Sequence, residues 1–237
     1  MNEKKIRSCL VDYLSKKHDL VNTVFIKELF VNNFACRADL VMANGQLSVF
    51  EIKSKLDSLD RLPNQIENYI KAFENVTVVC AQKHLDKVLS QYQSPIGVWL
   101  IEDDGKIVIK RRSSRLKKSS YEWLRHIPID ELRLLLKSKD LHVSGNREFL
   151  VEEAAQKICT REIRNFVLSY FKRREDKILK RKKVIDKNSS VSLSNKTLTH
   201  SEIFIDGINL VSVNIQTILP RKTLKNPNPR PIPLQVS

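Results

Sequence analysis

Three stretches of β-branched and aromatic residues follow one another early in the chain and constrain its fold more than any other feature. They span residues 22–31, 36–43 and 46–54. Residues of this type favour strands, and the Asn44-Gly45 pair between the second and third stretches is typical of a hairpin turn. The sequence therefore predicts three consecutive strands, of which the last two form a hairpin.

The segments around these strands alternate between helical and strand patterns. A helix is predicted over 3–18, where apolar residues recur at helical spacing. The later patterns predict a helix, a strand, a helix and a hairpin, at 60–74, 76–81, 83–92, and 96–101 with 106–111. We expect Asp57 or Asp60 to cap the helix at 60–74, with Pro63 in its first turn. This αβββαβ order predicts an α/β fold with a mixed sheet.

The charge of the chain is strongly positive and unevenly distributed. The net charge is +15, of which residues 1–100 contribute 13 − 11 = +2 and residues 101–237 contribute 29 − 16 = +13. This excess favours a polyanionic partner, either nucleic acid or a membrane surface. The sequence contains neither a signal-peptide pattern nor an apolar run long enough to span a membrane, so a cytoplasmic protein without a membrane anchor is expected.

The cysteines and histidines show no pattern typical of a zinc site or a disulfide framework. The four cysteines are scattered along the chain without a CxxC pair, which favours a reducing compartment. The five histidines lack the spacing of metal ligands, so we expect them at the surface or at helix caps.

Composition divides the chain into three predicted segments. Residues 1–119 are expected to form the α/β core, residues 120–187 a basic helical region, and residues 188–237 a flexible tail. Within the tail, 202–216 is expected to form either a hairpin or a strand that joins a partner's sheet. A long helix is expected to begin near Thr160.

Two carboxylates and a lysine stand out on the predicted strands. Glu51 and Lys53 are two residues apart on one strand, so both side chains project from the same face, and Asp39 lies on the neighbouring strand. Carboxylates that converge from adjacent strands offer the oxygen ligands that Mg²⁺ prefers, and a nearby lysine can orient a water or offset charge on a phosphate. The alternative is that Glu51 and Lys53 form a surface ion pair on an edge strand.

This pattern resembles the PD-(D/E)xK nuclease superfamily, with Asp39 as its acid and Glu51-Ile52-Lys53 as its E-x-K element. Gln65 and Tyr69 on the next helix resemble the QxxxY element of RecB-type nucleases. The longer run from Glu51 to Tyr69 is similar to an uncharacterised bacterial family assigned to this superfamily, and the likeness covers roughly residues 20–185.

The resemblance implies a metal-dependent DNA nuclease that uses Mg²⁺ or Mn²⁺. The catalytic residues would be Asp39, Glu51, Lys53 and Gln65. The metal ligands would be Asp39, Glu51, the backbone carbonyl of Ile52 and, as a further acid, Glu28. The alternative for Glu28 is a solvated residue on the first strand, and for Gln65 and Tyr69 it is an ordinary amphipathic helix.

Basic residues in several segments are candidates for DNA contact. The loop at 110–118 is rich in Lys and Arg and is predicted to contact phosphate, with a soluble hairpin end as the alternative. Residues 129–151 resemble a SAP-type helix–extended–helix motif, from which Asp140 and Ala154-Ala155 depart. The candidate DNA-binding residues are Arg61, Tyr69, Arg111, Arg112, Arg115, Lys117, Lys118, Arg147, Arg173 and Arg174.

Two other functions are compatible with these features. One is a non-catalytic DNA-binding module on a nuclease-like fold, and the other is a protein-interaction factor whose basic tail binds an acidic partner.

The register of the hairpin decides whether the predicted site can exist. A two-residue Asn44-Gly45 loop would place Asp39 on the face away from Glu51, because a shift of one residue reverses every side chain. A three-residue loop over 43–45, with Gly45 in the left-handed region, would place Asp39 opposite Val49 and diagonal to Glu51. The nuclease hypothesis requires the second arrangement or a bulge that restores the same parity.

Overall fold

The structure is a computed structural model that describes residues 1–31, 35–189, 203–205 and 208–210, with the side chains of 1–31 and 35–174. Its helices are α1 Glu3–Ser15, α2 Leu62–Ala72, α3 Gln82–Gln91, α4 Ser120–Leu124, α5 Ile129–Lys137, α6 Arg147–Lys157 and α7 Thr160–Ser189. Its strands are β1 Val24–Val31, β2 Cys36–Ala43, β3 Leu47–Lys53, β4 Asn75–Ala81, β5 Gly97–Ile101, β6 Ile107–Arg111, β7 Ile203–Ile205 and β8 Ile208–Leu210.

The first six strands form one mixed sheet, in the order β1-β2-β3-β4-β5-β6. The pairs β3–β4 and β4–β5 are parallel, and the outer pairs are antiparallel. This confirms the predicted α/β fold with a mixed sheet. The predicted bounds of these strands and of the first three helices agree with the structure to within three residues.

Helix α2 begins differently from the prediction. Pro63 lies in the first turn as expected, but Arg61 occupies the N-cap position and makes no side-chain cap hydrogen bond. Asp57 instead accepts a hydrogen bond from the backbone N–H of Ser54 at 2.7 Å, which closes the loop after β3. The prediction that Asp57 or Asp60 caps this helix was wrong, because α2 starts at Leu62.

Helices cover both faces of the sheet. On one face, Ile6, Leu10 and Leu14 of α1 pack in a cluster with Leu40 and Phe50. On the other face, α2 and the helices after residue 119 share a larger core with the sheet. Each strand in the centre of the sheet is therefore buried on both sides, which explains why β3 is buried at every position.

Glu74 joins the sheet to the C-terminal helices. This carboxylate is 2% exposed and accepts hydrogen bonds from Leu47 N at 3.0 Å, from Arg115 Nε at 2.9 Å and from Arg164 Nε at 2.9 Å. Burial by itself would raise the pKa of Glu74, but these hydrogen bonds and the charge of Arg164 outweigh burial and lower it. The ionised carboxylate thus holds α7 against the edge of the β2–β3 turn.

The predicted boundary after residue 119 does not coincide with a division of the structure. Residues Met1–Ser194 form one compact unit, and Asn195–Ser237 form a second. In the second unit β7 and β8 pair antiparallel, as the hairpin alternative for 202–216 predicted. Residues 188 and 189 of the predicted tail belong to helix α7. The remaining tail positions, including Asp206-Gly207, lie outside the described residues, as do the side chains of 175–187.

Helices α5 and α6 have the helix–extended–helix arrangement expected of residues 129–151. Asp140, one of the two departures from the SAP-type pattern, has a φ of 54°. Glycine adopts this left-handed conformation most readily, but an aspartate adopts it here.

None of the described helices is long and apolar enough to cross a membrane.

Candidate active site

The β2–β3 turn sets the parity that the predicted site needs. The strands pair from Ala43 with Leu47 to Leu40 with Phe50, which leaves a three-residue loop over 44–46. Gly45 in this loop has a φ of +88°, as predicted. The loop lies one residue later than the predicted 43–45, so the next pair in register is Asp39 with Glu51, directly opposite rather than diagonal.

Asp39 lies at the point where β2 and β3 separate. The recorded pairing ends at Leu40 and Phe50, and beyond it the Asp39 Oδ2 atom accepts a hydrogen bond from Ile52 N at 2.8 Å. The side-chain carboxylate thus takes an N–H that a continuing strand would have paired through its backbone. This bond fixes Asp39 beside the E-x-K segment.

Glu51 and Lys53 form a buried ion pair rather than a surface one. Lys53 Nζ lies 2.8 Å from Glu51 Oε1, and their side chains are 5% and 1% exposed, respectively. Lys53 Nζ also donates a hydrogen bond to Gln65 Oε1 at 2.9 Å, so Gln65 on helix α2 contacts the lysine directly. The strand is central in the sheet, which excludes the alternative of an ion pair on an edge strand.

Tyr69 is placed differently from the prediction. Its side chain is fully buried, and its hydroxyl donates to Glu51 Oε2 at 2.7 Å and lies 3.0 Å from Arg37 O. Its assignment as a DNA contact is therefore corrected, because the phenol supports Glu51 from inside the protein. Burial, together with the charge of Glu51, raises the pKa of Tyr69 and keeps it a hydrogen-bond donor.

Burial and a neighbouring carboxylate raise the pKa of two acidic groups in the site. Burial first, and then the charge of Glu51, raise the pKa of Asp39 to about 7, while the Ile52 N–H and the charge of Lys53 act in the opposite direction. The thiol of Cys36 has its pKa raised to about 12 by burial and by Glu51. In both groups burial is the larger cause, and the charge of Glu51 adds to it.

Glu28 does not join Asp39 and Glu51. It lies opposite Asp39 in the β1–β2 register, with Lys27–Leu40 and Leu29–Ala38 as the flanking pairs, but its φ is 55°. Its carboxylate is paired with Arg7 at 3.0 Å and Arg37 at 3.5 Å. The prediction that Glu28 completes a metal site is thus corrected: two arginines take its charge.

Helix α1 supplies neighbours that sequence reasoning missed. Arg7 is buried and binds both Glu3 and Glu28. The charge of Glu3 contributes to the raised pKa of Asp39, so the start of α1 lies near the site. The sequence signal was weak: an i, i+4 Glu–Arg pair on a helix is common at surfaces.

Three oxygen-bearing groups would hold a hard divalent cation if one binds at this position. Asp39 and Glu51 are two carboxylates, and the carbonyl of Ile52 between Glu51 and Lys53 is a third oxygen. Within the described part of the chain, no group of three or more His, Cys, Asp or Glu side chains is arranged to hold a metal. Mg²⁺ commonly binds one or two carboxylates, and carbonyl and water oxygens fill its other coordination positions.

The predicted DNA-binding residues divide into exposed and structural groups. Arg61, Arg112 and Lys117 are exposed. Arg111 donates to the carbonyls of Ile96 and Tyr92 at 2.8 Å and 2.6 Å, which anchors the end of β6.

Several of the remaining basic residues hold the protein together. The side chain of Lys118 is 4% exposed and bonds the carbonyl of Ile70, so its assignment as a phosphate contact is corrected. Arg174 is likewise buried, at 8% exposure, and so does not belong to the surface. Arg115 binds Glu74, as described above. Arg147 donates to the carbonyl of Leu124 at 2.9 Å.

Arg173 retains partial exposure. It pairs with Glu131 at 2.7 Å, with its guanidinium 5.2 Å from the ring centroid of Phe166.

Two histidines were also placed wrongly by the sequence. His84 is buried, with Nε2 3.0 Å from Ser54 O, and it supports the segment that follows Lys53. His126 Nε2 lies 2.7 Å from Ala72 O, and burial lowers the pKa of this histidine to about 4. Both imidazoles lie within hydrogen-bond distance of backbone carbonyls, His84 in the interior and His126 at a half-buried position.

The fold and site define an α/β protein with a mixed six-stranded sheet and a carboxylate–lysine centre where β2 and β3 separate. Over residues 1–201 the chain matches the family described as Bacteriophage P4 protein cII. It is 37% identical over 182 residues to Protein cII of Enterobacteria phage P4, an alignment that covers 73% of this chain and 68% of that protein. The chain belongs to the bacteriophage P4 cII family.

Among solved structures, a protein of unknown function from Silicibacter pomeroyi matches with a TM-score of 0.41 and 14% identity. That match covers 52% of this chain and 78% of the other.

Proposed function

We propose that this protein is a metal-dependent nuclease that hydrolyses phosphodiester bonds in DNA. The observation that carries the proposal is the position of Lys53 Nζ, 2.8 Å from Glu51 Oε1 and 2.9 Å from Gln65 Oε1, on the strand beside Asp39. Burying a carboxylate and a lysine is costly even when they form an ion pair, and here the pair adjoins a second carboxylate whose pKa is raised to about 7.

Each residue has a defined part in the proposed reaction. Asp39 and Glu51, with the carbonyl of Ile52, would hold Mg²⁺ or Mn²⁺, which supplies Lewis-acid chemistry at a phosphate when bound. Lys53 carries a positive charge that can orient the attacking water and offset charge developing on the phosphate. Gln65 fixes the ammonium of Lys53, and Tyr69 fixes the carboxylate of Glu51.

The charge of the chain supports a nucleic-acid substrate. Its net charge is +15, and the exposed Arg61, Arg112 and Lys117 lie outside the recorded ion pairs of the described residues. Arg61 directly precedes helix α2, which carries Gln65 and Tyr69. Exposed cations of this kind bind phosphates and release counterions, so binding should weaken steeply with salt.

A second candidate is a non-catalytic DNA-binding protein on the same fold. It is favoured by the burial of Glu51 and Lys53, which already neutralise each other within the protein. In that case the pair would serve only to stabilise the sheet. The two candidates differ in whether removal of Lys53 changes cleavage or only stability.

The test compares cleavage of plasmid, linear and branched DNA by wild type, Lys53→Met and Lys55→Ala, each with Mg²⁺, Mn²⁺ or chelator. Lys55 is the matched control, since it is an exposed lysine two residues away that pairs with Asp103. We expect metal-dependent cleavage by wild type and Lys55→Ala, and a loss of at least about 100-fold in Lys53→Met, a magnitude typical of an essential electrostatic group.

DNA binding in chelator separates the candidates further. The nuclease proposal expects all three proteins to bind DNA equally, with a salt-dependent affinity. Equal cleavage by Lys53→Met and wild type would overturn the assigned site. Salt-dependent binding without cleavage of any substrate would establish the second candidate, and an absence of DNA binding would leave an acidic protein as the partner of the basic segment.

A further inference from the structure

A cavity of about 340 Å³ lies on the face of the sheet opposite to Glu51. Its walls come from the end of α1, the β2–β3 turn, the first halves of β3 and β4, the middle of β5 and the segment after β6. Its strand residues Met42 and Phe50 belong to the cluster that packs on α1, whereas Val49 beside them belongs to the opposite core. The cavity is therefore separate from the candidate active site.

One wall of this cavity is aromatic. Phe50 and Trp99 both line it, with ring centroids 5.4 Å apart and planes inclined at 59°. The rings of Phe50 and Trp99 therefore offer an apolar surface against which a planar ligand can pack.

Amide side chains surround the aromatic wall. Asn44 Nδ2 lies 3.1 Å from His18 Nδ1, and Asn75 Nδ2 donates to Gln46 Oε1 at 2.7 Å. Each amide has two donors and two acceptor lone pairs, so these bonds use only part of their capacity. Asn44 and Gln46 each keep at least one donor and one acceptor that could form hydrogen bonds with the edge of a planar heterocycle.

The side chains that line the cavity include a cation and no carboxylate. Arg112 lines it and is exposed, and none of its described lining residues is Asp or Glu. None of the ion pairs recorded among the described residues uses Arg112. Its guanidinium is thus available for a phosphate, to which it can donate two parallel hydrogen bonds.

We infer that this cavity binds a nucleoside monophosphate, with the base against Phe50 and Trp99, its edge on Asn44 and Gln46, and the phosphate on Arg112. The volume lies at the lower end of the roughly 300–1,000 Å³ typical of small-molecule sites, which suits one nucleotide rather than two. The same chemistry is offered by a free nucleotide and by the phosphorylated end of a DNA strand. This inference is independent of the proposed nuclease activity, because it uses none of the residues of that site.

The test is calorimetric titration of the full chain with each deoxynucleoside monophosphate in the presence of chelator, which removes any contribution from the metal site. Wild type should bind at least one of them saturably, with a Kd of about 10 µM to 1 mM. Arg112→Gln should weaken that binding about tenfold or more, since a charge-assisted bond to phosphate is lost. Lys110→Gln is the matched control, an exposed cation two residues earlier that does not line the cavity.

Trp99→Leu tests the aromatic wall, with thermal unfolding to check that the variant folds. It should weaken binding of the nucleotide and of the corresponding nucleoside alike, whereas Arg112→Gln should affect only the nucleotide. This contrast does not arise from a general loss of stability, so it remains informative if Trp99→Leu is less stable than wild type.

Competition identifies the source of the ligand. A 5′-phosphorylated oligonucleotide that displaces the mononucleotide, when its 5′-hydroxyl counterpart does not, would support a strand end as the ligand. Failure of both to compete would support a free nucleotide. Equal displacement by inorganic phosphate, binding unaffected by Arg112→Gln, or an absence of saturable binding to all four monophosphates would each overturn the inference.

Discussion

The hydroxyl of Tyr69 donates a hydrogen bond of 2.7 Å to Glu51 Oε2, while Lys53 Nζ lies 2.8 Å from Glu51 Oε1. Both oxygens of one buried carboxylate are therefore held, one by the helix that crosses the sheet and one by its own strand. A fully buried carboxylate needs such partners because its desolvation is costly. This relationship makes Tyr69 a support for the candidate site rather than a surface residue.

Tyr69→Phe should lower the free energy of unfolding by about 1–3 kcal/mol, because Glu51 loses a buried donor. Urea denaturation measures the change. Tyr92→Phe is the matched control: the Tyr92 hydroxyl is buried but has no hydrogen-bond partner among the described residues, so its removal should leave stability unchanged or higher. Equal destabilisation by the two substitutions would mean that the Tyr69–Glu51 bond contributes nothing specific.

Stability in chelator should fall as the pH rises from about 4 to about 7, through the titration of Asp39. Its pKa is raised from 3.8 to about 7, chiefly by burial and then by Glu51, so the folded protein binds a proton that the unfolded chain has released. The stabilisation is complete below pH 4 and is lost as the pH passes 7. The free energy of unfolding of wild type, relative to that of Asp39→Asn, should therefore decrease as the pH rises across this range. A difference independent of pH would contradict the raised pKa of Asp39.

Mg²⁺ should stabilise the protein above pH 7 if Asp39 and Glu51 bind it. Mass action predicts about 1.4 kcal/mol at a free metal concentration tenfold above the Kd. Thermal unfolding with increasing Mg²⁺ or Mn²⁺ measures this effect without reference to cleavage. Asp39→Asn and Glu51→Gln should each abolish it, and an equal response in both variants and wild type would place metal binding elsewhere.

Glu74→Gln should lower the free energy of unfolding by about 2–4 kcal/mol, because Arg115 and Arg164 lose a buried partner. Chemical denaturation measures the loss. Glu67→Gln serves as the control, since among the described residues this exposed carboxylate pairs with Lys71 alone, in the next turn of α2, and its replacement should have no measurable effect. A Glu74→Gln variant as stable as wild type would show that the arginines find other partners.

A fragment of residues 1–119 provides a decisive test of domain organisation. The charge distribution predicts that it folds alone, whereas the shared core predicts that it loses cooperative unfolding. Phe73 on the sheet side lies 5.7 Å from the ring of His126, and Trp123 is 1% exposed in the same cluster. We expect the shared core to prevail, because the fragment would expose this face of the sheet to water. Calorimetry of 1–119 beside 1–194 measures the outcome.

The sequence by itself determined the elements of the sheet and the residues that could form a site on it. Strands β2 and β3, the Gly45 turn and the proline in the first turn of α2 follow from alternation, from left-handed backbone preference and from the fixed φ of proline. These preferences depend only on residues close together in the sequence, so the sequence alone is enough to predict these features. Asp39 and Glu51 share a face only when the β2–β3 loop has the right parity, and the structure meets this condition with a loop one residue later than expected.

Only the tertiary structure decided which charged residues belong to the site and which to the framework. Glu28 pairs with Arg7, 21 residues away, and Glu74 pairs with Arg164, 90 residues away, so no local pattern indicates either partner. Lys118 likewise enters the interior because α2 offers it the carbonyl of Ile70. Burial changes the chemistry of a charge, and burial is created by segments that meet only when the whole chain has folded.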